Sequence, residues 1–182
     1  QLYIIWYPQA PLVQRPLHLV LALVLFFLWN PLDTRRPGAH WTTVVDPLLT
    51  AGACACGFYY LLVSARLTER MEGIDPVGAV DICFGILIVV LLLEAVRRAV
   101  GWSLLSVLLL FLGYAFVGKW IPGWLSYSSF GLEQVVEILT MSLNGILGIT
   151  TQTSLQFVFY FIVFGAIYSA IGGSQLFIDI SL

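Results

Sequence analysis

The stretch LLLEAVRRAVGW places one glutamate, Glu94, and two adjacent arginines, Arg97 and Arg98, between two long apolar runs. Charges there could do either of two jobs. Deep in a membrane, an ionisable side chain marks an ion or substrate path, whereas at the end of a span it fixes orientation. An arginine at the bilayer centre costs about 2.5 to 3.5 kcal/mol on insertion scales, which argues against two neighbouring ones at mid-depth. Counting about 20 residues from Val77 puts the pair roughly 30 Å along a helix axis, at the opposite interface. There the side-chain stems can snorkel and the charge suits a helix C-terminus. Glu94 lies three and four residues earlier on the same face, so it can pair with either arginine. An exposed pair of this kind contributes only ~0.2 to 0.5 kcal/mol.

Two other places carry groups capable of chemistry. Asp81 falls about one turn inside Pro76. A carboxylate there suits the N-terminal end of a helix dipole, and an intramembrane aspartate is also the usual mark of an ion path; the helix-end reading is preferred. The run GITTQTSLQ gathers Thr150, Thr151, Gln152, Thr153, Ser154 and Gln156. The simpler reading is a helix start whose side chains cap free N–H groups, and the sharper one is a substrate-facing surface.

No catalytic constellation accompanies them. The sequence lacks HExxH, CxxC, a phosphate-binding glycine loop, a Ser/His/Asp set in a plausible frame, and paired carboxylates deep in a span. Cys54, Cys56 and Cys83 all fall in apolar runs, where cysteine behaves as a small hydrophobe, and neither His18 nor His40 forms a ligand pattern with them. The reading is of a non-enzyme with no metal site and no cofactor.

The elements that position these groups follow from composition. Of 182 residues, 60% are hydrophobic and 10% charged, with eight Lys plus Arg and ten Asp plus Glu. That is too little charge to cover a water-soluble domain, so the expected fold is an all-α, polytopic helical membrane protein. The aromatics flank apolar runs instead of alternating with basic residues, which excludes a nucleic-acid surface.

About five spans are predicted: Leu17 to Leu32, Pro47 to Ala65, Val77 to Leu93, Ala99 to Gly118 and Leu155 to Ile171. The second contains AGACACG, small residues that admit a close neighbour. The third and fourth are separated by a tight turn only, which implies an antiparallel hairpin. Between the fourth and fifth, SSFGLEQVVEILTMSL sets Leu132, Val135, Val136, Leu139 and Leu143 against Glu133, Gln134, Glu137 and Thr140. It reads as an amphipathic helix along the membrane surface or beneath a neighbour. The organisation is therefore a lead-in over 1–16, a four-helix scaffold over 17–120, a loop and amphipathic joint over 121–150, and one further span over 151–182.

Basic loop residues tie at four on each side. Arg35 and Arg36 share a side with Arg97 and Arg98, and both pairs abut spans directly, which places them in the cytoplasm. Arg15, Arg66, Arg70 and Lys119 then lie outside, as does Gln1, so an earlier span is expected upstream of it. With Gln and not Met at its start and FIDISL at its end, the chain reads as part of a longer polypeptide.

The segments LVQRPLHLVLALVLFFLWNP, LEAVRRAVGWSLL, YAFVGKWIPG and NGILGITTQTSLQFVFYFIVFGAIYSAIGGSQLFIDIS resemble, in that order, the fused membrane permease of TRAP transporters of the TAXI type. The likeness runs from about Gln14 to Leu182. Its strongest parts are the junction formed by Glu94, Arg97, Arg98, Gly101 and Trp102, then FGA at Phe164 to Ala166 and FID at Phe177 to Asp179. The resemblance implies a secondary transporter in a bacterial or archaeal inner membrane. It would import organic acids or related solutes on a cation gradient, with sodium as the coupling ion. It also implies two protein partners: a soluble extracytoplasmic solute-binding protein, and the remainder of the large transport domain, which the span over 151–182 would begin. Substrate and ion ligands of the family lie in later segments, so none is carried onto this chain. The alternatives are a structural or assembly membrane protein that transports nothing, and a membrane-embedded enzyme acting through Asp81 or Glu94.

Overall fold

The structure is a computed structural model that describes residues 9–32, 40–71, 73–121, 123, 126, 128, 130–173 and 175. Arg35, Arg36, Gln1 and the FID segment at Phe177 to Asp179 lie outside the described residues. The fold is helical, with α1 (Pro11–Trp29), α2 (His40–Glu69), α3 (Ala79–Ala99), α4 (Trp102–Val117), α5 (Leu132–Thr140), α6 (Ile149–Thr153) and α7 (Phe159–Ala170). A short 3-10 turn, Gly118–Trp120, extends α4, and a π-helical turn, Ser154–Val158, joins α6 to α7. Five segments are long and apolar enough to cross a membrane: Pro11–Trp29, Val44–Glu69, Ala79–Ala99, Trp102–Trp120 and Ile149–Ala170.

α1 starts at Pro11, earlier than the predicted Leu17, because proline is tolerated at the first helical position, where its missing N–H has no intrahelical partner to lose. α3 continues past the predicted Leu93 to Ala99, so the EAVRR group forms its last turns. α3 and α5 begin in the same way. In each, the residue before the helix is glycine, and its backbone N–H donates to the side chain three residues on, Asp81 Oδ2 at 3.0 Å for Gly78 and Gln134 Oε1 at 3.1 Å for Gly131. This is the backward half of a capping box.

α1, α2 and α3 run antiparallel in sequence and make the core, with Val20, Leu23 and Phe27 of α1 meeting Ala53, Cys56 and Tyr60 of α2 and Ile88 and Leu91 of α3. The small-residue stretch explains how closely they pack. A methyl group on Gly57 would come within 2.9 Å of Val20 Cγ1, so only glycine allows α1 and α2 to approach this far. Ala53 and Cys56 share the buried face, while Cys54 points outward, and all three cysteines are free thiols. The α3–α4 hairpin turns at Gly101, whose φ of 100° is open to glycine and strained for other residues.

α4 buries only Leu105, and α7 buries nothing. Trp29 and Trp102 are exposed at the Glu94 end of the bundle and Trp120 at the Asp81 end, where an interfacial aromatic belt would lie.

The amphipathic segment corrects its prediction in one respect. α5 sits under a neighbour, against α3, but its buried residues are Val135, Val136, Glu137 and Thr140, whereas Leu132 and Ile138 are exposed. Half of the polar face is thus turned into the protein. The cause is Gly85 on α3, whose bare Cα lets Val136 Cγ1 and Thr140 Oγ1 occupy the space a side chain would take.

Candidate functional site

At one end of the bundle, the last turns of α3 carry the predicted group. Arg97 donates from Nε and Nη2 to the two oxygens of Glu94, at 2.8 and 2.7 Å, and Arg98 Nε donates to Glu94 Oε1 at 2.7 Å. Arg98 then reaches away from its own helix. Its Nη1 donates to Asp46 Oδ1 of α2 at 2.7 Å and to the carbonyl of Asn30, at the end of α1, at 3.0 Å. Its guanidinium carbon lies 5.2 Å from the Phe27 ring centre. Asp46 Oδ2 accepts the Leu32 N–H at 3.1 Å, so one carboxylate ties the α1 terminus to α2.

This corrects the expectation of an exposed pair worth a few tenths of a kcal/mol. The Arg98 side chain is 6% exposed, and it joins three helices. Arg97, 26% exposed, behaves as the sequence suggested, its guanidinium 5.7 Å from the Trp102 ring centre beside the Gly101 turn.

At the opposite end, Asp81 is 4% exposed in its side chain. Its Oδ2 accepts the Gly78 N–H, while Oδ1 accepts the Tyr59 hydroxyl and an Arg66 guanidinium N–H from α2. The Tyr59 ring is stacked on Phe84 with centres 4.2 Å apart, which holds the hydroxyl in place. The helix-end role expected of Asp81 is present, and a cross-helix pair is added to it. Glu137 of α5 is the second carboxylate here, accepting from Arg70 Nη2 at 2.7 Å and from the Gly73 N–H at 2.9 Å. Arg70 also donates to the Asp75 carbonyl at 2.7 Å, and its side chain is 8% exposed. The Tyr60 hydroxyl donates to the Thr140 carbonyl at 2.8 Å, fixing the far end of α5 to α2.

The third polar group is the TTQTS run. The expectation that its side chains cap free N–H groups is not met, because Gly148 occupies the cap position and no side-chain cap bond forms there. Instead the run is gripped by α1. Arg15 donates from Nη2 to Gln152 Oε1 and from Nη1 to the Leu147 carbonyl, both at 2.8 Å. His18 Nε2 stands 3.0 Å from Ser154 Oγ, where the π turn begins. The Thr151 hydroxyl donates to the Ile146 carbonyl, while Thr150 and Thr153 are exposed. Arg15 and His18, three residues apart on one face of a helix that is otherwise apolar except for Gln14, are the available signal for this joint.

Chemically, these groups are ion pairs and hydrogen bonds that tie helices together, with Arg70 Nε and Arg98 Nη2 the buried nitrogens left without a partner among the described residues. Each of Glu94, Asp46, Asp81 and Glu137 already accepts from two or more donors. Among the described residues, no three His, Cys, Asp or Glu side chains are grouped as metal ligands would be. Comparisons with family models, with curated proteins and with solved structures find no match to the chain.

Proposed function

We propose that this chain is the membrane-embedded scaffold region of a TRAP-type secondary transporter of the TAXI class, importing organic acids or related solutes on a sodium gradient with a soluble extracytoplasmic binding protein. The reading places the chain as a multi-pass protein of a bacterial or archaeal inner membrane, with Arg97 and Arg98 on the cytoplasmic side. The resemblance of four ordered segments carries the transporter class. The observation that supports a bracing role is the engagement of polar side chains in the first four long helices. The hydroxyl of Thr50 is turned to the Asp46 carbonyl, that of Tyr59 to Asp81, that of Tyr60 to Thr140 and that of Ser106 to the Ser103 carbonyl. A substrate pathway needs polar groups free to face the solute. A brace needs them satisfied internally, since unsatisfied ones are expensive in hydrocarbon.

The same region holds the start of the fifth long helix through Arg15 and His18, which suits a fixed part anchoring the first helix of a moving one. The test is uptake by vesicles containing the full-length chain. The proposal expects solute accumulation that requires both a sodium gradient and the binding protein. Correctly inserted protein that accumulates no solute under these conditions would favour the non-transporting assembly protein.

A further inference from the structure

Between α3, α4 and α5 lies an apolar cavity of about 780 Å³. Val89, Leu92 and Val96 of α3 face Leu108, Leu112 and Ala115 of α4 across it, with Leu139 of α5 at its end. Only two hydroxyl residues touch it, Thr150 and Thr151, and the Thr151 hydroxyl is already donated to Ile146. We infer that this cavity is a binding site for one acyl chain of a phospholipid from the leaflet at the Arg97 end. The inference rests on the membrane-embedded part of the proposed function and on nothing about transport.

Geometry selects a chain over a helix. α3 and α4 meet at Gly101, and the lining residues lie roughly 8 to 21 Å along the two helices from that corner at ~1.5 Å per residue. α5 closes the far end. The Phe130 N–H, just before it, donates to the Ala115 carbonyl at 3.2 Å, and Val136 and Thr140 rest on Gly85. A spanning partner helix needs a track of ~30 Å and would run into α5. A flexible hydrocarbon chain entering from one interface and ending a little past the midplane, ~15 Å down, fits the space as closed. Its lining offers ordered water few partners, since it is apolar apart from Thr150, Thr151 and backbone.

A basic group follows the lining residue Val96 in sequence, although it does not itself line the cavity. Arg97, next to Val96, uses Nε and Nη2 on Glu94 and is steadied by Trp102, which leaves Nη1 for a phosphate oxygen at the interface. Basic groups at the membrane-facing edge of a helix cleft are the usual complement of a lipid headgroup.

The experiment places photoreactive p-benzoylphenylalanine at Leu112, inside the cavity, or at Leu110, exposed on the same helix, in the full-length chain. Each protein is reconstituted in vesicles of phosphatidylethanolamine and phosphatidylglycerol, checked for insertion by flotation, re-extracted, exchanged extensively into detergent and irradiated. A phospholipid adduct at Leu112, its absence at Leu110 and its loss on Ala115→Phe are the expected results. Detergent alone at Leu112, or a crosslink there to another segment of the chain or to a second copy, overturns the inference. Failure to float would instead count against the membrane reading itself.

Discussion

Arg98 of α3 and Asp46 of α2 are ion-paired at 2.7 Å across 52 residues of sequence, with both side chains largely removed from solvent. Taking two charges out of water is costly, and the pair is retained only because each partner has further hydrogen bonds, Glu94 and Asn30 for Arg98 and Leu32 for Asp46. Removing Arg98 strands Asp46, which keeps only the Leu32 N–H, so Arg98→Leu should destabilise the bundle by about 3–5 kcal/mol, read as reversible unfolding in detergent, whereas Asp46→Leu leaves Arg98 paired with Glu94 and should cost less. The double variant should recover most of the loss; equal loss in the double variant would mean that the two side chains are not coupled.

The neighbouring arginine should behave differently. Arg97 pairs only with Glu94 on its own helix and is partly exposed, so Arg97→Gln should cost about 0.2–0.5 kcal/mol in the same measurement. Charge reversal at both arginines should alter membrane topology or assembly, scored by cysteine accessibility from each side.

Two glycines in long helices make opposite predictions. Gly85→Ala drives a methyl into Val136 and Thr140 and should cost about 1–3 kcal/mol, with α5 becoming accessible to protease. Gly113→Ala meets nothing within 4 Å and should be neutral or stabilising by up to about 1 kcal/mol. Similar outcomes at both positions would rule out the α3–α5 packing described here.

Sequence reading located the long helices because uninterrupted apolar runs of membrane length have few other solutions. It also paired Glu94 with its arginines, since three- and four-residue spacing on a helix determines neighbours. Partners distant in sequence were not legible. Arg70 stood among Glu69, Glu72 and Asp75, yet its carboxylate partner is Glu137, 67 residues away. The same limit hid which face of α5 is buried, because Gly85 decides it from another helix. TTQTS departs from its expected role for a related reason. Its composition suits a helix cap, and only α1, lying alongside, converts Gln152 and Ser154 into contacts between helices.

That joint can be tested by hydrogen exchange. Arg15→Leu removes two charge-assisted bonds, each worth about 1.5–3 kcal/mol, and should speed exchange over 146–158 while leaving the middle of α2 unchanged. Uniform acceleration would point to global loosening instead of a local contact.

The bracing role itself is tested most directly by uptake kinetics of the full-length protein carrying Glu137→Gln, a change at the Arg70 pair that joins α5 to the end of α2. If this region is a brace, the maximal rate falls with the fraction of correctly assembled protein, and the concentration of solute-loaded binding protein giving half-maximal uptake stays at the unmodified value. A shift in that concentration, with assembly intact, would place Glu137 in the solute pathway and contradict the account.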